Sequence, residues 1–480
     1  MTVVNCSPCE DNSILEPKMA ERPRSDMRAW HQNRSRLIMR WATYFWLIFP
    51  IVTSFFYLAY SQFIYGNPRS WLHIRVDNVV ALNVHPIRWL ILIGPTRPMS
   101  FMGIFFMLWP SRPLWLRNQP IKRSFTRLLI CLVTKGDNVE IVKQSVRAAQ
   151  GCYSSIDPRI SFHVLTEETK VSRFNDLPRS VKVHGTQTEF QPSKAKYKAR
   201  SLEWFRINLE IKDDDWVLHI DEETAIDEYL VRTCIDFITR QGDKDVGTGV
   251  IHYNLPGYYN NALTAVGDML RLQDDWFRVP GLANYRNYIA LGVHGGFLLV
   301  RGIVENAVTW DTDSLTEDYW FLLGAKDKGY RFGWVPAIAR EMSPESIKDF
   351  IRQRRRWYTG MSRLGRLSGT LEALSCAWNL FWPLYILLDY ADKTPRPMWF
   401  FYFLCLDAAV PQAIMMMTLL IQDIDAGLPL RGMVYTQLVS LILAPMSVLV
   451  SGWAAFWGLF WPDKDWYVIR KRPGNETKED

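Results

Sequence analysis

The stretch 213–226, DDDWVLHIDEETAI, delivers Asp221, Glu222 and Glu223 at the end of a short apolar segment. Carboxylates that follow a strand in one turn can reach the same divalent cation, with nucleotide phosphate oxygens completing its shell of hard ligands. A cation so placed neutralises a departing nucleoside diphosphate. A solvated acidic turn explains the same residues, and on this stretch alone the two readings weigh equally.

A second acidic group, Thr316-Glu317-Asp318, opens a helical stretch after a loop containing Asp311 and Asp313. Carboxylates in a first helical turn often serve as caps or answer the helix dipole. The catalytic alternative is a general base that takes the proton of an acceptor hydroxyl, a role decided by reach rather than spacing. The third group is Gln353-Arg354-Arg355-Arg356-Trp357, just before the apolar C-terminal runs. Guanidinium forks recognise phosphate, and an adjacent Trp can stack on a ring or lie at a membrane interface. A basic stretch beside a membrane more simply contacts anionic lipid, the role assigned here to Arg352, Arg354 and Arg355.

Something must hold these groups in place. Residues 115–345 alternate strand-like with helix-like segments, the pattern of an α/β domain. Strands are expected at 127–134, 160–165, 216–220 and 296–300, and helices at 139–149, 195–211, 228–239 and 317–328. Strand followed by helix, repeated, implies a mainly parallel sheet with its site at the strands' C-terminal ends.

The 480 residues are 48% hydrophobic and 22% charged with a formal net charge of +7, too apolar for a mostly disordered chain. The near-neutral mean hydropathy averages unlike segments. Residues 1–36 read as a polar, basic cytosolic tail without a signal-peptide core. Residues 41–65 are uncharged and long enough to span a bilayer, with arginines on the cytosolic side. Residues 87–109 suggest a second span, or a re-entrant hairpin broken by Gly94-Pro95 and Arg97-Pro98, so that 37–112 forms an N-terminal membrane region. An interfacial helix at 346–366 then leads to apolar runs at 373–388, 398–421 and 433–461, a second membrane region over 370–462, and a polar tail at 463–480. Within the middle run, Asp407 and Gln412 either line a path for a glycan or headgroup or pair with a neighbouring helix. Met415-Met416-Met417 reads as lipid-facing or packing surface.

The seven cysteines are odd in number and scattered, which fits a reduced compartment rather than a disulfide framework. Cys6 and Cys9 form one C-x-x-C without a second pair to complete a zinc site. The positive charge gathers beside apolar segments and no RNA-binding or zinc-finger signature is present, so nucleic acid is not an expected partner.

In their order, Asp221-Glu222-Glu223, Thr316-Glu317-Asp318 and Gln353-x-x-Arg356-Trp357, followed by an apolar bundle, resemble the D-x-D-type, T/E-D and Q-x-x-R-W motifs of membrane-embedded family 2 glycosyltransferases. That group includes the chitin, cellulose and hyaluronan synthases, and the likeness covers residues 120–461. The chain looks closer still to the egghead-type β-1,4-mannosyltransferases. The likeness rests on Val133-Thr134-Lys135-Gly136-Asp137, Tyr197-Lys198-Ala199-Arg200, Asp221-Glu222-Glu223-Thr224 and His294-Gly295-Gly296. Gly296 departs from it, standing where a small hydroxyl residue is expected, and the N-terminal spans look unlike.

The resemblance implies a GT-A-type, Rossmann-like domain with a mixed, mostly parallel sheet, embedded in a helical transmembrane region. It implies that Thr134, Asp137, Lys198, Asp221, Gln353, Arg356 and Trp357 bind a nucleotide sugar, and that Asp221 and Glu223 hold Mg²⁺ or Mn²⁺. It makes Asp318 the base of a single inverting displacement, and puts His294, Gly295, Glu317 and Trp357 at the acceptor. Simpler roles stay open: a turn-forming Asp137, a surface Lys198 and a structural His294. The expected partners are a nucleotide sugar, with GDP-mannose foremost, a lipid or glycan acceptor such as a glucosyl-lipid, and membrane lipids. The expected location is a multi-pass membrane protein of the endoplasmic reticulum, Golgi or plasma membrane with its catalytic domain in the cytosol. A processive polysaccharide synthase and an inactive scaffold with the same fold are the competing functions.

Overall fold

The computed structural model describes residues 34–39, 41, 45–65, 123–150, 153, 155–257, 259–287, 294–381, 383–384 and 398–462. The Cys6 and Cys9 pair, the basic tail before residue 34, the 87–109 stretch and the 463–480 tail lie outside them.

The apolar run Leu128–Val133 (β1) is buried along its whole length, as a central strand covered on both faces must be. It pairs in parallel with Ile160–Glu167 (β2) and Trp216–Asp221 (β4), which sets Val133 level with Leu165 and Asp221. Val181–Thr186 (β3) extends the sheet beyond β2. Leu298–Arg301 (β6), Val246–His252 (β5) and Phe332–Arg340 (β7) extend it beyond β4, giving the order β3-β2-β1-β4-β6-β5-β7. Only β6 is antiparallel to its neighbours, so the described sheet is the mixed, mostly parallel one expected of a GT-A-type domain. Because β6 is reversed, its N-terminal end meets the C-terminal ends of β1 and β4. Its register (His219 opposite Leu298) brings residues 294–296 beside Asp221.

The helices are α1 (Phe45–Tyr65), α2 (Val139–Ala149), α3 (Tyr197–Asn208), α4 (Glu228–Arg240), α5 (Ala262–Gln273), α6 (Val279–Arg286), α7 (Gly302–Val308), α8 (Glu317–Asp327), α9 (Ile347–Arg363), α10 (Leu367–Trp378), α11 (Met398–Ala426) and α12 (Leu430–Phe460). In α2 the buried stripe Ile141, Val142, Ser145, Val146 and Ala149 follows helical spacing and lies on the sheet. The expected elements recur with small changes at their ends; the 195–211 helix shortens to α3 and the 296–300 strand starts at Leu298.

Three strands escape sequence reading, and their residues say why. β5 carries Gly247 and Gly249, which propensity counts against a strand. A Cβ on Gly249 would lie 2.2 Å from the Phe297 ring, so the glycine makes room for a core aromatic. β7 contains Pro336, which a central strand excludes, but β7 is an edge strand and Pro336 falls where its register with β5 shifts. β3 is short and polar, with Lys182, His184 and Gly185.

The C-terminal helices are built inside out. On α12 the buried residues are small or hydroxylic: Gly432, Thr436, Ser440, Ala444, Ser447 and Gly452 among them. The large apolar ones, such as Leu438, Ile442 and Trp453, are exposed. Small residues let backbones approach, and Gly458 brings α12 within 3.0 Å of α9, where Thr359 Oγ1 donates to its carbonyl. Among the described residues α12 is the one helix long and apolar enough to cross a membrane. Met415 and Met417 are buried packing residues. Asp407 has its side chain outside the described set, and Gln412 buries its amide nitrogen in the helical layer.

A buried polar network joins this layer to the sheet. Arg340, at the end of β7, donates to Asp425 Oδ2 (2.9 Å) and Oδ1 (2.7 Å), to Asp227 Oδ2 (3.0 Å) and to Ser35 Oγ (2.7 Å). His252 Nε2 accepts from the Trp276 indole, so Nδ1 carries the proton and donates to Asp425 Oδ2 at 2.9 Å. Asn254 donates to the same oxygen at 2.7 Å. Asp425 thus ties the far end of α11 to the sheet.

Candidate functional site

A cavity of about 820 Å³ opens where β1, β4 and β6 end, and runs on into the helical layer. At its polar end lie Thr134, Lys198, Asp221, Glu222, Glu223, His294, Gly295, Glu317 and Asp318; Gln353, Arg356 and Trp357 approach from α9. Thirteen of the fourteen site residues expected from sequence therefore meet around one space. Asp137 is the exception. It lies off the cavity wall, bonded to Lys170 at 2.8 Å and 3.5 Å from Lys135, and Lys170 holds its carboxyl below the usual range.

Glu222 is committed to the fold. Its carboxylate accepts from Thr134 Oγ1 (2.6 Å) and Asn138 Nδ2 (2.5 Å), and its carbonyl from Ser145 Oγ (2.9 Å). That pins the β4 turn to the β1 turn. Asp221 and Glu223 are left as the carboxylates of this turn that face the cavity without that tether. Asp221 pairs with Lys198, whose Nζ also lies 3.5 Å from Glu317. Burial alone would lower the lysine, but Asp221, Glu317 and Asp318 outweigh it and keep the ammonium charged well above its ordinary range.

The two acidic residues at the start of α8 differ in exposure. Glu317 is buried, and burial pushes its carboxyl up to about 7, with Lys198 opposing and Asp318 reinforcing the shift. Asp318 is half-buried, with Oδ2 accepting from Gly295 N at 3.0 Å and Oδ1 from Tyr319 N at 2.8 Å. A Cβ on Gly295 would lie 2.8 Å from Lys198 Nζ, 3.4 Å from Asp318 Oδ2 and 3.6 Å from Asp221 Oδ1. Gly295 therefore sits at the junction of all three groups and keeps it open. Gly296 has its own reason to lack a side chain, since a Cβ there would fall 1.9 Å from Glu341 Oε1. Thr224 Oγ1 donates to that oxygen at 2.7 Å, so a carboxylate fills the space where a small hydroxyl residue was expected.

His294 is a buried link. Arg271 donates to its Nδ1, so Nε2 holds the proton and donates to Asp275 Oδ1 at 2.8 Å. Asp275 lies in the π-helical turn Asp274–Arg278 and also accepts from Ile251 N at 3.0 Å.

Helix α9 starts at a Ser346 cap, whose Oγ accepts from Asp349 N at 3.1 Å, and docks its middle on the α8 turn. Arg356 donates to the Leu315 carbonyl at 2.9 Å, and a Cβ on Gly360 would meet Thr316 at 2.7 Å. One expectation is corrected here. Arg354 does not reach lipid: it is 3% exposed, it pairs with Asp268, and its guanidinium lies 4.1 Å from the centre of the Trp357 ring. Residues 350, 354 and 357 share one helical face, and the buried Phe350 turns that face inward. Arg355 points the other way, donating to the Trp461 carbonyl at 2.6 Å.

Sequence reasoning missed Tyr253, Asp268, Arg271, Arg278, Glu341 and Glu372, all in the cavity wall. They come from separate elements, and no motif joins them. Only the acidic pair Asp274-Asp275 before Trp276 hinted at this wall.

Residues 216–458 match the family described as glycosyl transferase family group 2. Over 273 residues the chain is 28% identical to the β-1,4-mannosyltransferase egh of Drosophila melanogaster, covering 55% of this chain and 57% of that protein. Over 277 residues it is 28% identical to the β-1,4-mannosyltransferase bre-3 of Caenorhabditis elegans, covering 55% and 59%. The chain thus spans somewhat over half the length of the curated relatives it matches. Among solved structures, it is similar to the mannosyltransferase PcManGT from Pyrobaculum calidifontis in complex with GDP-Man and Mn²⁺, with a TM-score of 0.42 and 11% identity over 78% of this chain and 97% of that one.

Proposed function

The chain belongs to glycosyl transferase family group 2, and from that premise we propose that it moves mannose from GDP-mannose to a lipid-linked sugar in a single inverting displacement. The observation that carries this reading is the cavity itself. It joins the acidic strand ends to a wall of Val410, Pro411 and Ile414 on α11 and Val448 on α12, so it can accept a charged donor at one end and an apolar tail at the other. The inside-out pattern of α12 supports a multi-pass membrane protein with this cavity at the bilayer face. Similarity to β-1,4-mannosyltransferases supports the choice of sugar.

A divalent cation fits the donor set. Asp221 and Glu223 present hard carboxylate oxygens to the cavity. No group of three or more His, Cys, Asp or Glu among the described residues could hold a metal alone, so phosphate oxygens would supply the remaining ligands. Asp221 and Glu223 would hold Mg²⁺ or Mn²⁺, which neutralises the leaving diphosphate when bound. Lys198 and Arg356 add positive charge from the protein side. Asp318 takes the acceptor hydroxyl's proton as that oxygen attacks the anomeric carbon, while Glu317 holds Lys198 from beneath.

Washed membranes containing the protein, offered GDP-mannose, UDP-glucose and UDP-GlcNAc with a glucosyl-lipid, test this. Transfer is expected from GDP-mannose alone and is expected to stop when the cation is chelated. Asp221→Ala is expected to weaken cation-dependent donor binding by about tenfold or more, the loss of one charged ligand. Transfer from none of these donors contradicts the reading.

A further inference from the structure

Several buried polar atoms of the cavity wall have no protein partner: Tyr253 Oη, Asp268 Oδ2, Arg278 Nε, Gln353 Oε1 and Glu372 Oε2. The residues Tyr253, Asp268 and Arg278 are 3%, 1% and 9% exposed. Leaving such a group unmatched costs about 1–3 kcal/mol, so their gathering in one wall points to a ligand that satisfies them. The set mixes kinds. Arg278 Nε donates, the carboxylate and amide oxygens accept, and the tyrosine hydroxyl does either. Hydroxyl groups, which also donate and accept, match such a mixture.

The charges narrow the ligand further. Arg354 is answered by Asp268, and Arg278 by Asp274 at 2.6 Å with Glu372 at 3.8 Å. Arg271 is turned to His294 and, through it, to Asp275. These guanidinium groups are already matched, so the helical half of the cavity has little positive charge to offer a phosphate. A phosphate site would present arginines without carboxylate partners.

We propose that Tyr253, Asp268, Arg278 and Glu372 form the binding site for the sugar headgroup of a neutral glycoside acceptor, and that this wall selects such acceptors over lipid phosphates. The proposal rests on the sugar-transfer reading above and adds to it the class of acceptor and the residues that read it. Trp357 lies at the boundary, with Arg271 4.2 Å from its ring centre, and gives the sugar an apolar face to cover. The Val410, Pro411 and Ile414 wall beyond it takes the start of the aglycone.

The test uses the full chain in lipid nanodiscs, saturating GDP-mannose, and two acceptors: a β-glucosyl lipid and a polyprenyl phosphate. Sugar is expected to pass to the β-glucosyl lipid, with transfer to the phosphate at least tenfold slower. Tyr253→Phe and Glu372→Gln, changes that keep shape, are each expected to raise the acceptor KM about tenfold, the loss of one hydrogen bond, and the donor KM by much less. Transfer to polyprenyl phosphate in preference, or variants that raise the donor KM as much as the acceptor KM, would overturn the proposal. Donor binding by calorimetry separates the two readings. A wild-type chain that binds no nucleotide sugar removes the transfer reading and this one with it. A chain that binds donor but glycosylates only the phosphate removes this one alone.

Discussion

Asp318→Asn is expected to lower transfer by about 10²–10⁴-fold, the usual worth of a positioned general base, while nucleotide binding stays within a few-fold of wild type. The expectation rests on a contrast between neighbours. Asp318 is half-buried at the cavity wall and is aimed by the Gly295 and Tyr319 backbone amides. Glu317 is buried and holds Lys198. Asparagine keeps the size and one acceptor oxygen of Asp318 but cannot take a proton. One backbone amide then faces the new NH₂, which costs about 1 kcal/mol and leaves the fold intact. Glu317→Gln keeps an acceptor for Lys198 and is expected to fall much less in rate. Single-turnover rates with labelled donor, beside equilibrium nucleotide binding, separate the two. If the larger loss belongs to Glu317→Gln, the roles are reversed.

The second large effect is on stability. Arg340→Met is expected to destabilise the protein by about 3–5 kcal/mol, because it strands buried carboxylates that have no water to turn to. Asp425 has a fully buried side chain and Asp227 is 11% exposed, so solvent does little to screen the loss. Ser35 and His252 share the network, which means the change should loosen α11 as well as β7. A fall of several degrees in the thermal midpoint of solubilised protein checks it. So does faster hydrogen exchange in residues 421–426. Retained stability would mean that apolar packing alone holds α11 to the sheet. Adding Asp425→Leu to Arg340→Met should recover part of the loss, since it removes one of the stranded charges.

Much of the site was legible in the sequence because its chemistry is concentrated in short runs. Asp221 to Glu223 follow an unbroken apolar strand, and Thr316 to Asp318 open a helix, so local pattern alone put both at element ends. The sheet beyond β4 was less legible. β5 and β7 are shaped by what packs on them, Phe297 against Gly249 and the edge position of Pro336, and neither reason is local. Arg354 shows the same limit. A run of three arginines beside apolar segments reads as lipid-facing, yet helical geometry turns the middle of a basic run inward when Phe350 and Trp357 share its face. The acceptor wall was illegible for a further reason. Tyr253, Asp268, Arg278 and Glu372 are joined only by tertiary structure, and each looks ordinary in its own segment. Gly296 was visible as a departure, but its cause, the Glu341 carboxylate, lies far along the chain.

The central claim is that one acceptor hydroxyl, deprotonated by Asp318, displaces the nucleoside diphosphate directly. The anomeric configuration of the new linkage tests this most closely, read by proton NMR on the product isolated from an α-linked nucleotide sugar. A single displacement predicts a β-linkage; an α-linkage would contradict it and require a covalent intermediate or attack from the leaving-group face.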